Sequence, residues 1–219
     1  MGEYMLKKIF YVLKIVVFVH LFLCLINRMN AAFFICLFSL FLLYIVDYLQ
    51  NKVEYSDLFQ LLIYIFLIGS LIGGEVYFLY VKLWYFDIIM HVLSSYIISG
   101  LIYYILIKNS VNINFNLFLL FIFSFAMMIA SLWEITEFTI DRFFITDMQK
   151  DTIINEIKSS YISYNGKNVV VKEVNNIKLG NYVINGYLDI GLYDTIYDMI
   201  CALFGSFLFL FKIKRSVLL

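Results

Sequence analysis

Apolar residues fill this chain in six blocks of similar length, separated by short polar joints. A helix rises ~1.5 Å per residue, so ~20 mostly apolar residues cover the ~30 Å of bilayer hydrocarbon. Residues 9–26, 31–49, 58–80, 86–107, 117–139 and 190–211 meet that length. The first run follows Lys7 and Lys8 like a signal sequence. It lacks a small-residue cleavage site and a second run follows within a few residues, so it is read as a true span. The expected fold is an all-α transmembrane bundle of six helices.

Lysine and arginine in short loops set orientation. With the N-terminus in the cytoplasm, Lys7, Lys8, Lys52, Lys108, Lys212, Lys214 and Arg215 fall inside, against Arg28 and Lys82 outside. Both termini are therefore expected in the cytoplasm of a multi-pass protein of the inner or plasma membrane. Two spans carry small residues near one-turn spacing, Gly69, Ser70, Gly73 and Gly74 in the third and Ala202, Gly205 and Ser206 in the sixth. Such residues let helices approach closely in lipid.

The long loop breaks the apolar pattern. Residues 1–141 hold five spans, 142–189 form an extracytoplasmic loop or small β cap, and 190–219 hold the sixth span and a basic tail. The loop opens on KDTIINEIKSSY, which fits a short amphipathic helix. Asn165-Gly166, flanked by β-branched and aromatic residues, signals a tight hairpin. NYVIN is a further candidate strand, giving a small β-rich outer cap before the last span.

Composition agrees with the pattern. The chain is 63% hydrophobic and 15% charged, whereas soluble domains are nearer one half and one quarter. A formal net charge of zero leaves no basic footprint for nucleic acid. Cys24, Cys36 and Cys201 lie in three different apolar runs without CxxC or Cys/His metal spacing, so they read as small buried hydrophobes. His20, alone in the first span, reads as a packed neutral histidine, and Trp84 and Trp133 sit where interfacial indoles belong. Ser94 and Ser95 lack a nucleophile motif around them.

Against this background the acids form a pattern. Glu75 nears the end of the third span. Asp87 and His91 open the fourth, Glu134, Glu137 and Asp141 close the fifth, and Asp194 and Asp198 open the sixth. Glu134 is ~25 Å along its helix from Leu117, near the outer edge of the hydrocarbon. Spacings of three, four and seven place each set on one helix face. Asp47, Glu54 and Asp57 instead flank a cytoplasmic loop, where a solvated end suffices. Unpaired charge near lipid costs several kcal/mol per group. Shared protons, a hydrated cavity or a bound cation would each offset that cost. Carboxylates with one imidazole suit a divalent ion, and helical ligands one turn apart build such sites in bundles.

YFDIIMH, LWEITEF, QKD and YDTIYDMICALFG, in that order, resemble the YjdF-like family of small bacterial inner-membrane proteins. The matching positions are Asp87, His91, Glu134, Glu137, Gln149, Asp151, Asp194, Asp198 and Gly205. In the family pattern the Gln-x-Asp element runs almost directly into Asp-Thr; here residues 152–189 intervene. A fainter likeness joins the chain to VanZ-like proteins.

The leading expectation is a divalent metal ion held by His91, Glu134, Glu137, Asp194 and Asp198 at the outer leaflet. Asp87 and Glu134 are the candidate catalytic acids, and Glu75, Asp87, Asp141, Gln149 and Asp151 are candidates to support the ligands. Metal-assisted hydrolysis or transfer on a lipid or lipid-linked envelope substrate would follow. The expected partners are the lipid bilayer and a lipid or lipid-linked substrate, with no nucleic acid. The rival readings are a cation or proton pathway and a non-enzymatic sensor or scaffold.

Overall fold

The computed structural model describes residues 2–163 and 165–217. Tyr164, in the expected hairpin, and the side chain of Arg215, in the basic count, lie outside the described residues. Among those described, six helices are long and apolar enough to cross a membrane: Met5–Ile26, Asn30–Val53, Asp57–Val76, Phe86–Lys108, Phe115–Phe143 and Leu192–Lys214. They belong to α1 (Gly2–Ile26), α2 (Asn30–Val53), α3 (Asp57–Leu67) with the π-helical segment Ile68–Val76, α5 (Phe86–Lys108), α6 (Phe115–Phe143) and α7 (Leu192–Val217); a single turn, α4 (Leu79–Lys82), precedes α5. The chain divides into two compact units, Met1–Ala130 with Asp198–Leu219, and Ser131–Tyr197.

In the first unit, Leu43, Val17, Tyr64 and Ile122 are fully buried while Phe18, Phe34 and Phe41 are exposed. Helices apolar on both the packed and the open face belong in lipid. The third span starts where the Ser56 side chain accepts from the Phe59 N–H at 3.3 Å. It was expected to reach residue 80 but ends at Val76. The winding widens over Gly69, Ser70, Gly73 and Gly74, Tyr77 N–H donates back to the Ile72 carbonyl at 3.1 Å, and Phe78 turns left-handed at φ 57°.

Helices α5 and α7 meet backbone to side. A Cβ at Gly205 would lie 2.0 Å from the Val92 carbonyl oxygen, so only glycine fits that approach. One residue on, Ser99 Oγ donates to Ser206 Oγ at 3.0 Å, and Phe209 packs against Tyr96 and Tyr103 with ring centroids 5.1 and 5.8 Å away. Small residues at the contact and aromatic filling beyond it are how helices pair without a hydrophobic drive from lipid.

Among the described residues, the second unit combines the end of α6, six strands and the first turn and a half of α7. Strands β1 (Thr152–Ile154) and β6 (Tyr187–Asp189), β2 (Glu156–Ser159) and β3 (Val169–Lys172), and β4 (Ile177–Leu179) and β5 (Tyr182–Ile184) form three antiparallel pairs. The expected helix over KDTIINEIKSSY is therefore two strands: Ile154 and Ile157 are the more protected positions, and a β-branched segment with an alternating face pairs better than it winds. Asn165-Gly166 is not a two-residue turn between strands. Ser159 pairs with Val169, so it sits inside a longer loop, with Gly166 at φ 66°. The NYVIN strand is present as β5.

Candidate metal centre

Within the first unit, α5 and α7 bring three sequence-selected residues together. Asp87 and His91 stand one turn apart on α5, and Asp198 faces them from α7. His91 Nε2 is 3.4 Å from Asp87 Oδ1 and 3.4 Å from Asp198 Oδ2. One donor atom from each residue lies within 4.8 Å of the other two, a spacing that could hold a metal ion. Asp198 is buried, and the His91 and Asp87 side chains are only 12% and 14% exposed. Both carboxylates address the same ring nitrogen. A shared nitrogen would suit co-ligands of one ion, since a group that merely orients a ligating histidine meets its other nitrogen. Gly205, two turns beyond Asp198, sets the helix approach that makes the meeting geometrically available. Glu75 is exposed on the π-helical segment.

Within the second unit, Glu134 and Glu137 are buried one turn apart on α6, while Trp133, Ile135 and Phe138 beside them are exposed. Gln149 is buried against this helix. Its Nε2 donates to Thr195 Oγ1 at 2.6 Å and, more weakly, to the Glu134 carbonyl at 3.4 Å. Gly191, at φ 102°, makes room: a Cβ there would lie 2.6 Å from the Gln149 Cβ. Asp194 Oδ2 accepts from the Lys150 N–H at 3.0 Å. Asp151 is exposed. The pairing Thr152↔Asp189 explains why these contacts exist at all. The chain leaves and returns through one two-stranded ribbon, so the long insertion keeps Gln149 and Lys150 beside the start of α7.

Asp141 has a local task. Its two oxygens accept from Thr146 Oγ1 at 2.7 Å, Met148 N–H at 2.8 Å and Gln149 N–H at 2.8 Å. It ties down the turn after α6 and so holds Gln149 in place. Outside the spans, burial with the neighbouring Asp151 and Asp141 charges raises the Asp147 carboxyl. Replacing Asp141 by Ala is expected to cost this turn roughly 2 kcal/mol, because partly buried amide donors lose a charged acceptor. Amide exchange at Met148 and Gln149 should quicken accordingly; unchanged exchange there would show that other contacts hold the turn.

Two groups were read differently from sequence. Asp47 is not simply a solvated loop acid: it pairs with Lys14 of α1 and accepts from Gln60 Nε2 at 2.7 Å and Tyr64 Oη at 2.6 Å. A lysine inside a span needs such a counter-ion. His20 is not alone, since Cys24 and Cys36 share its neighbourhood. The His20–Cys24 spacing of four residues was the available signal; Cys36 lies on another helix and no spacing rule reaches it. Asp189 was also missed. It is buried, and its Oδ2 accepts from Tyr193 N–H at 2.8 Å at the start of α7.

These features define a multi-span helical membrane protein with clustered acids and histidine able to hold a metal. The chain belongs to the predicted membrane protein family DUF2238, whose model matches residues 8–216. The YjdF-like resemblance read from its motifs is to this same family. No curated protein and no solved structure matches the chain.

Proposed function

We propose that the protein holds a divalent cation at Asp87, His91 and Asp198 and uses it on a lipid or lipid-linked substrate at the membrane surface, with both termini in the cytoplasm of the cell membrane. The supporting observation is the convergence of three donor atoms from two helices on one point. Asp87 is the second residue of α5, which places the centre within about two turns of the end of that span. The polar parts of a lipid lie toward that end of the span, nearer to the centre than the bilayer midplane is. When bound, a divalent cation supplies Lewis acidity to an acyl or phosphoryl oxygen. His91 and Asp198 hold it, and Asp87 serves as ligand or accepts a proton.

The same geometry favours one other reading. An imidazolium between two carboxylates is a protonatable triad, as a proton or cation pathway would use. Metal analysis separates the two. The detergent-purified protein, titrated directly with Mg²⁺, Ca²⁺, Mn²⁺ and Zn²⁺, is expected to bind one of them at this centre. Asp198→Asn should weaken that binding by more than about tenfold. Equal binding of all four ions by parent and Asp198→Asn protein would overturn the metal reading and leave the protonated triad.

A further inference from the structure

We infer that His20, Cys24 and Cys36 form a second site in the first unit, for a thiophilic divalent cation of the zinc type. His20 and Cys24 stand one turn apart on the same face of α1. Cys36 comes from α2. The short joint between the helices is fixed by the Met29 N–H, which donates to the Cys24 carbonyl at 2.9 Å, and by Arg28 in a left-handed conformation at φ 56°. One ligand atom from each of the three residues lies within 4.8 Å of the others. Both cysteines carry free thiols and are buried, at 3% and 0% exposure.

Chemistry narrows the occupant. Two thiolates and an imidazole are soft to borderline donors and select zinc or copper(I) over magnesium or calcium. Charge then favours the divalent ion. Two thiolates, a neutral imidazole and M²⁺ sum to zero, whereas a monovalent ion would leave one negative charge in an apolar interior. Three protein ligands with a fourth position open is a recurrent zinc arrangement. His20 has the support a ligating histidine takes. Its Nδ1 faces the Tyr77 hydroxyl at 3.5 Å and the two rings meet tilted at 49° with centroids 5.3 Å apart, leaving Nε2 to the metal. Small hydrophobic packing accounts for two buried thiols, but not for an imidazole brought to the same point.

The test uses the full chain, purified in detergent, reduced and stripped of metal. Titration with Co²⁺ is expected to give a thiolate-to-cobalt charge-transfer band that saturates near one equivalent and is displaced by Zn²⁺. Cys24→Ala and Cys36→Ala should each abolish the band. Asp198→Asn should leave it intact, which separates this site from the α5/α7 centre. Zn²⁺ should also protect both thiols of the unaltered protein from alkylation, a readout that needs no variant to fold. Absence of the band with both thiols demonstrably reduced would overturn the assignment. So would a band that survives both cysteine replacements.

Discussion

Gly205→Ala is expected to lower stability by about 3 kcal/mol and to empty the α5/α7 centre, although residue 205 touches no ligand. The added Cβ would meet Val92 backbone at 2.0 Å from the oxygen, 2.9 Å from the carbon and 3.0 Å from Cα. No rotamer relieves a clash with main chain. The helices must move apart by roughly 1 Å, and packed interfaces resist such a shift. Asp198 lies seven residues earlier on the same helix, ~10 Å along the axis. Its approach to His91 is set by the same contact. The apparent melting point in detergent should fall by roughly 6–12 °C, and divalent-ion binding should weaken with it. Ser206→Ala is the control: it removes one interhelical hydrogen bond, worth roughly 0.6 kcal/mol, and adds no atom. A Gly205→Ala protein with unchanged melting and metal binding would show that α5 and α7 do not pack as described.

The spans were legible because their signal is one-dimensional. Each of the six helices needs only enough consecutive apolar residues, and 63% hydrophobic composition supplies them. Asp87 and His91 were legible for a related reason: two residues on one helix share a face whenever their spacing allows. The meeting of His91 with Asp198 was only half legible. The sequence places each on its own helix face, but which helices pair depends on contacts such as Gly205 against Val92, and a lone glycine does not name its partner. The same limit hid Cys36 from His20 and Cys24, and Asp47 from Lys14. The insertion misled for a different reason. KDTIINEIKSSY has a helical look by charge spacing, yet β1 pairs with β6, some thirty-five residues away in sequence. Tertiary pairing of this kind overrides local propensity. It also resolves the departure from the family pattern. An excursion that closes on itself through Thr152↔Asp189 leaves the flanking motifs as near to each other as in a shorter loop.

Asp47→Asn is expected to cost about 3 kcal/mol, and adding Lys14→Met should recover most of that loss. Asparagine keeps an oxygen to accept from Gln60 and Tyr64, so the substitution removes charge while sparing shape. What it leaves behind is a lysine inside a span with no counter-ion. The Lys14 side chain is only 18% exposed, and its remaining support is the rings of Tyr44 and Tyr64, 4.9 and 6.0 Å from the ammonium. Cation–π attraction of ~0.5–2 kcal/mol falls short of the solvation the ammonium has lost. Lys14→Met alone should cost less, about 2 kcal/mol, because the Asp47 carboxylate keeps two donors and is 31% exposed. With both charges gone, the methionine packs in lipid and the asparagine keeps its hydrogen bonds, so the double variant should lie within about 1 kcal/mol of the parent. The three variants and the parent close a double-mutant cycle, read by unfolding in detergent. Strong non-additivity marks a charge pair kept because each member forbids the loss of the other. Simple addition of the two single effects would mean that Lys14 finds water or headgroups instead, and that Asp47 serves Gln60 and Tyr64 alone.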